Sequence, residues 1–312
     1  MEISVAIAIH NEQGNIELLY NDLIAVLESI GSDFEIIFVN DGSDDDSAKI
    51  IDSLAERDPR VRAIHLLRNY GQSSAMMAAF DHASGDIIIV MDGDNQNDPA
   101  DIPRLLNKIN EGFSVVSGWR KDRRDPQFSK VIPSKIANWL ISKITGVKLH
   151  DYGCSLKAYR KDVLKDVRLY GEMHRFIPVF TAWKGAKVTE IVVGHRPRRF
   201  GASHYGLSRI FSVLLDLVLV RFLDRHFQHP IHLFGGFGII NFFFAFISFV
   251  IMLCYKLWGG KAFIETPLPT LTVLFFLIGA VSTMMGILAE IVMRTYYESQ
   301  QKKPYLIDRI SN

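Results

Sequence analysis

The sequence predicts an α/β domain on a mostly parallel sheet, followed by amphipathic helices and two helices that cross a membrane. Three observations carry this. Short apolar runs alternate with helix-period segments through the first third of the chain. Polar, mostly acidic residues follow three of those runs. Two charge-free apolar stretches, 233–255 and 268–289, lie near the C-terminal end.

The apolar runs occupy 3–9, 34–39, 61–66, 87–91 and 113–117 and are rich in β-branched residues. Unbroken rather than alternating apolarity predicts strands buried on both faces. Between them, Ile16, Leu19, Tyr20, Leu23 and Leu27 share one helical face, and Ala48, Ile51, Leu54 and Ala55 share another. A β-α-β-α-β-α-β order implies a parallel sheet with right-handed crossovers. Ligands on such sheets bind beyond the carboxyl ends of the strands. His10-Asn11-Glu12, Asn40-Asp41-Gly42-Ser43-Asp44 and the segment from Asp92 to Pro99 all fall there. One such acid is an ordinary turn or helix cap. Three sets at one sheet edge predict a binding site.

Residues 133–144 read as an amphipathic helix with Ile136, Leu140 and Ile144 on one face and Trp139 and Ile141 beside it. Residues 206–227 have a helical period too, with Arg209, Arg221 and Arg225 among leucines and valines. Tryptophan and basic residues beside apolar faces predict helices lying in a membrane interface. The two charge-free stretches are each long enough to span a bilayer. Leu, Ile, Phe and Val each favour insertion by about 0.3–0.6 kcal/mol near a helix centre. The organisation expected is a catalytic domain at 1–205 with an acceptor-side helix at 131–145, a juxtamembrane helix at 206–230, spans at 231–257 and 268–293, and a tail at 294–312. Arg221 and Arg225 precede the first span, and Arg294, Lys302 and Lys303 follow the second. That bias predicts an inner-membrane, multi-pass protein with domain and tail both cytoplasmic.

Net charge is +1, so no global nucleic-acid signature exists. Basic residues gather instead at 120–135 and 196–225, where they suit solvated faces or anionic headgroups. The two cysteines, Cys154 and Cys254, predict no disulfide and a reducing compartment. The first strand-like run follows Glu2 and is too short for a signal-peptide core.

Asp92 and Asp94 flank a glycine just after a strand, so both carboxylates can reach one hard divalent cation. Gln96 supplies a carbonyl oxygen near the same turn. Such an ion bridging a diphosphate stabilises the charge that develops as the diphosphate leaves. Asp41 suits either hydrogen bonding to a nucleoside or capping the helix that follows, and Gly42 permits a sharp turn. His195 and His204 lack further ligands at zinc spacing.

Together, Ala8-Ile9-His10-Asn11-Glu12, Asn40-Asp41-Gly42-Ser43 and Asp92-Gly93-Asp94-Asn95-Gln96 resemble the nucleotide-sugar motifs of family 2 glycosyltransferases with the GT-A fold. Residues 151–160, 195–205 and 290–294 narrow the likeness to polyprenyl-phosphate glycosyltransferases. That group includes dolichol-phosphate mannose synthases, bactoprenol glucosyltransferases and undecaprenyl-phosphate 4-deoxy-4-formamido-L-arabinose transferases. The family often has proline and tyrosine where this chain has Ala8 and His10, and aspartate where it has Asn40.

The resemblance implies inverting transfer of one sugar from a nucleotide-sugar, a UDP-sugar by likeness to the two-span enzymes, to undecaprenyl or dolichyl phosphate. It implies Mg²⁺ or Mn²⁺ on Asp92, Asp94 and Gln96. Ala8, Asn11, Glu12, Asp41, Asp92, Gly93, Arg199 and Ser203 fall at the nucleotide-sugar site. Arg120, Lys130 and Ser134 fall at the acceptor phosphate. Asp94, Asp151 and Arg120 are the implied catalytic residues, with Asp151 near the reacting sugar carbon. A bilayer partner and a homo-tetramer are implied as well. Two rivals are a processive polysaccharide synthase, whose Gln-x-x-Arg-Trp element is missing here, and a non-catalytic membrane-tethered nucleotide-binding protein.

Overall fold

The computed structural model describes residues 2–121, 132–165, 167, 169, 173–197, 217, 220, 222, 230–259 and 262–299. The chain divides into two compact units, Met1–Val218 and Leu219–Asn312.

The first unit begins β1 (Ile3–Ile9), α1 (Ile16–Ile30), β2 (Phe34–Asn40), α2 (Ser47–Arg57), β3 (Val61–His65), α3 (Gln72–His82) and β4 (Ile87–Asp92). It continues α4 (Ile102–Asn110), β5 (Val115–Trp119), α5 (Ile132–Thr145), β6 (Lys157–Arg160), α6 (Lys161–Leu164), α7 (Ile177–Trp183) and β7 (Val188–Val192). Seven strands form one sheet in the order β3-β2-β1-β4-β6-β5-β7. β3, β2, β1 and β4 are parallel neighbours. β2, β1 and β4 are buried on both faces as their apolar runs predict, but β3 is the edge strand and buries only Val61. β6 enters antiparallel between β4 and β5, and β7 runs parallel to β5. Neither β6 nor β7 carries an unbroken apolar run, so local patterning does not announce them. β5 lies two residues further along than 113–117, because pairing with β7 extends to Trp119.

One sheet face buries Ile3, Val5, Ile7 and Ile9 against Leu19, Leu23 and Leu27 of α1 and Ile102, Leu105 and Ile109 of α4. Burial of each such side chain contributes about 1.5–3 kcal/mol. Left-handed backbone at a non-glycine costs roughly 1–3 kcal/mol. The core therefore outweighs two such residues in the turns above it, Asn11 (φ 56°) and Asn95 (φ 59°). The opposite face, over β1 and β2, is covered by α3.

α5 forms where the amphipathic pattern at 133–144 places it. Ile141 is buried, while Ile136 and Trp139 are 60% and 61% exposed. Lys143 lies 5.0 Å from the Trp139 ring. Most of the expected helix at 206–230 lies outside the described residues, although 217, 220 and 222 are helical.

The second unit contains α8 (Pro230–Leu257) and α9 (Leu268–Ser299). Both are long and apolar enough to cross a membrane, and only 22% and 17% of their most apolar stretches are buried. A core helix of a soluble protein would hide most of that surface. Small residues let the two backbones approach closely. A Cβ on Gly238 would stand 2.4 Å from Thr283 Oγ1 and 2.9 Å from the Gly279 carbonyl oxygen. Close backbone approach of this kind is how apolar helices associate where water supplies no driving force. Gly238→Val is expected to destabilise the helix pair by roughly 1–3 kcal/mol through overpacking. An unchanged thermal midpoint of the detergent-solubilised chain would disprove the tight seam.

Candidate active site at the carboxyl edge of the sheet

Because β2, β1 and β4 are parallel and in register, their carboxyl ends form one edge. Ile9 pairs with Asn40, and Ala8 with Asp92. The three turns that follow are clasped together. The Asn11 backbone N–H donates to Ser43 Oγ (3.0 Å), and the Asp44 N–H donates to Asn11 Oδ1 (2.8 Å). The Glu12 N–H donates to Ser47 Oγ, while Asn15 Nδ2 donates to the Glu12 carboxylate. Asn95 Nδ2 reaches back to the Asn15 carbonyl oxygen (3.0 Å). Asn11 and Glu12 thus hold the edge together, whatever else they contact.

Asp41 is buried, and both its oxygens accept backbone N–H groups, Tyr70 at 2.7 Å and Gly71 at 2.9 Å. The turn after β3 is therefore pinned over β2. Gly42 (φ 63°) makes room for it, since a Cβ there would stand 2.4 Å from the Arg68 carbonyl carbon. Of the two roles open to Asp41, helix capping is not found: the helix N-cap is Asp46, and Asp41 anchors a distant turn. A carboxylate has four lone-pair sites, so two backbone bonds still leave acceptor capacity.

The pinned turn leads into Gln72, whose Nε2 donates to Asp92 Oδ1 at 2.7 Å. Gly93 lets the turn pass close to β1, where a Cβ would meet Ile9 Cδ1 at 2.3 Å. Asp94 is buried, and its Oδ1 accepts the Gln96 N–H. Dry surroundings, and then the charge of Asp94, push the Asp92 carboxyl above the usual carboxylate range; Ser155, Arg120 and Lys157 pull it back. Such mutual repulsion is the charge pattern a divalent cation offsets. Among the described residues no three His, Cys, Asp or Glu side chains form a ready-made metal cage. The carboxylates of Asp92 and Asp94 and the amide carbonyl of Gln96 are oxygen donors of the kind taken by an ion that completes its shell with water and substrate phosphates. The residues fit Mg²⁺ or Mn²⁺.

Cations lie beside this acidic group. Arg120, just past β5, grips Asp151 through Nε (2.8 Å) and one terminal nitrogen (3.1 Å). The side chains are only 13% and 4% exposed. Burial alone would weaken the guanidinium, but the Asp151 charge outweighs it and raises the Arg120 pKa. The Gly153 N–H also donates to Asp151. Burial pushes the Cys154 thiol up to about 11 and the Lys157 ammonium down to about 8. Ser134 lies half-buried near the start of α5. Lys130, Arg199 and Ser203 lie outside the described residues.

Residues 4–168 match glycosyl transferase family 2. The chain belongs to this family. It is a glycosyltransferase with the GT-A fold. It is 39% identical over 316 residues to the dodecaprenyl-phosphate galacturonate synthase of Rhizobium johnstonii, covering 99% of this chain and 93% of that one. It is 37% identical over 310 residues to the undecaprenyl-phosphate 4-deoxy-4-formamido-L-arabinose transferase of Edwardsiella ictaluri, covering 99% and 94%. Among solved structures, its fold is similar to glucosyl-3-phosphoglycerate synthase from Mycobacterium tuberculosis in complex with Mn²⁺, uridine diphosphate and glucosyl-3-phosphoglycerate. That likeness has a TM-score of 0.56 at 18% identity, over 70% of this chain and 79% of that one.

In this family 2 glycosyltransferase the structure brings Ala8, Asn11, Glu12, Asp41, Asp92, Gly93, Asp94 and Gln96 to one edge, and pairs Arg120 with Asp151. Sequence reasoning missed Gln72, Lys157, His174 and Arg175, which line the cleft beside Asp92. A signal for Lys157 existed, a lone charge between Leu156 and Ala158. None existed for Gln72, whose partner lies 20 residues away.

Removing Asp151 strands a buried guanidinium, a loss of roughly 3–5 kcal/mol. Asp151→Ala is expected to lower the unfolding midpoint clearly, and Asp151→Asn less, since its amide oxygen still accepts a bond. Equal, near-native midpoints for both variants would remove the ion pair from this account.

Proposed function

We propose that this chain transfers one sugar, with inversion, from a nucleotide-sugar to polyprenyl phosphate. A UDP-sugar is the favoured donor. The product is a lipid-linked monosaccharide for cell-envelope glycan or lipid modification, made on the cytoplasmic side of the inner membrane. The observation that carries the reading is the pairing of opposite charges at one sheet edge, carboxylates Asp92 and Asp94 beside cations Arg120 and Lys157, in a chain that also bears two unburied apolar helices. The names of the two relatives above, both acting on a polyprenyl phosphate, support it.

In this reading Asp92, Asp94 and Gln96 hold Mg²⁺ or Mn²⁺. When bound, the ion offsets the negative charge that gathers on the departing diphosphate. Asn11, Glu12, Asp41 and the Ala8 and Gly93 backbone flank the nucleoside end, with Arg199 and Ser203 assigned to the donor as well. Arg120, Lys130 and Ser134 face the acceptor phosphate. A phosphate monoester has its second pKa near ~6, so the acceptor is mostly dianionic at pH 7 and its oxygen needs no base. That oxygen forms a bond to the anomeric carbon. The bond from that carbon to the diphosphate oxygen breaks, and its electron pair leaves with the nucleoside diphosphate. No proton moves. Asp151, committed to Arg120, positions that cation rather than taking a proton.

The decisive experiment presents purified chain with a panel of nucleotide-sugars, undecaprenyl phosphate and Mn²⁺ or Mg²⁺. One donor should be consumed, yielding a lipid carrying a single sugar, and chelator should stop the reaction. A polymeric product points to a processive synthase; no turnover with any donor points to a non-catalytic protein. Asp94→Ala should lower transfer at least about a hundredfold, the scale of losing one preorganised electrostatic contact. Its unfolding midpoint should stay near native, because Asp94 lies in the turn beyond the sheet and not in the apolar core. Full activity in that variant would sink the mechanism.

A further inference from the structure

Lys157 opens β6, the antiparallel strand between β4 and β5. Antiparallel entry puts the start of β6 at the same edge as the end of β4. Lys157 pairs with Val90 on one side and with Ser117 on the other. Directly paired residues share a sheet face, and so do residues two apart on a strand. Lys157 therefore shares a face with Asp92, and both line a cleft with Gln72, Ser155, His174 and Arg175. Electrostatically it feels Asp92 on one side and Asp151 on the other.

A charged ammonium here needs a reason. Lys157 is 4% exposed. Its ammonium donates to a neutral acceptor, the Tyr152 carbonyl oxygen at 3.1 Å. Among the described residues no ion pair within 4.0 Å holds it. Bracing the turn before β6 through that one carbonyl explains a donor but not a charge, because a neutral amide braces a carbonyl without the penalty of burying an ion. An ammonium has three donors, and one is used.

The surrounding charges say what the others are for. Asp92 and Asp94 belong to the donor side, where a divalent ion meets the diphosphate. Arg120 is offset by Asp151. A second anion entering the cleft, a phosphate monoester carrying close to two charges, meets in Lys157 a cation with no such partner.

We propose that Lys157 binds a phosphate of the reacting pair, that of the polyprenyl phosphate acceptor, in the cleft between Asp92 and the Arg120–Asp151 pair. The proposal rests on the function read above. It adds a catalytic residue on β6 that contacts the nucleophilic phosphate. The other phosphate within reach is the donor's β-phosphate, and the experiment separates the two.

The full chain in detergent micelles is compared with Lys157→Met and Lys157→Arg. Three quantities are read: affinity for UDP with Mn²⁺ by titration calorimetry, initial rate against undecaprenyl phosphate concentration, and thermal midpoint. For Lys157→Met, kcat/KM for the acceptor is expected to fall roughly 10- to 100-fold, the scale of one hydrogen bond to a charged group. UDP affinity should stay within about twofold, less than one such bond would change it. The midpoint should hold or rise, because a buried charge is gone. Lys157→Arg should recover much of the acceptor term. Wild-type acceptor kinetics in Lys157→Met would overturn the proposal, and so would a defect confined to UDP affinity. A defect in both terms that Lys157→Arg leaves unrelieved also overturns it, in favour of a structural role. If the wild type uses no polyprenyl phosphate at all, the underlying function fails and this proposal with it, an outcome distinct from the others because it precedes any variant.

Discussion

A buried guanidinium and a buried carboxylate tie together the two halves of the sheet edge. Arg120 directly follows β5, and Asp151 begins the turn that delivers β6. Neither charge is tolerable alone at that depth, so the two segments are held together or not at all. With the turn so placed, β6 enters antiparallel between β4 and β5. The strand then presents Lys157 beside Asp92. The cationic side of the cleft is thus a consequence of one ion pair, and the chemistry proposed for the cleft depends on it.

The acidic side is organised on a different principle. Its carboxylates and amides are aimed by backbone turns rather than by partner charges. Asp41 pins the turn after β3, Gly42 leaves room beneath it, and that turn carries Gln72 to Asp92. Asn11 and Asn95 hold left-handed backbone where the turns after β1 and β4 must fold back. A glycine at either position would relieve strain but lose the side-chain amide that clasps the neighbouring turn. The core beneath β1 supports this geometry.

The two units present different surfaces by the same bookkeeping of polar groups. In the first, Asp41, Asn95 and Ser73 are buried polar side chains that find partners in other segments. In the second, the helices satisfy their own backbones and expose apolar surface, and their contact combines close approach at Gly238 and Gly279 with ring packing of Phe242 on Phe276.

Residue pattern alone determined the parallel direction of β1 to β4, the polar turns after β1, β2 and β4, and two helices of membrane-spanning length. Each of these is written in local periodicity or in charge within a few residues of a strand end, where side-chain alternation and turn chemistry act directly. Tertiary structure decided what long-range pairing controls. Asp41 looks like a helix cap until Tyr70 and Gly71 arrive from 29 and 30 residues away. Arg120 looks open to solvent until Asp151, 31 residues on, closes over it. Asp-x-Asp is a pattern that occurs by chance in many chains, and the place of Asp92-Gly93-Asp94 beside Lys157 follows from an antiparallel strand of four residues with no apolar run to betray it. Burial sets the cost of a charge, and burial belongs to the fold as a whole.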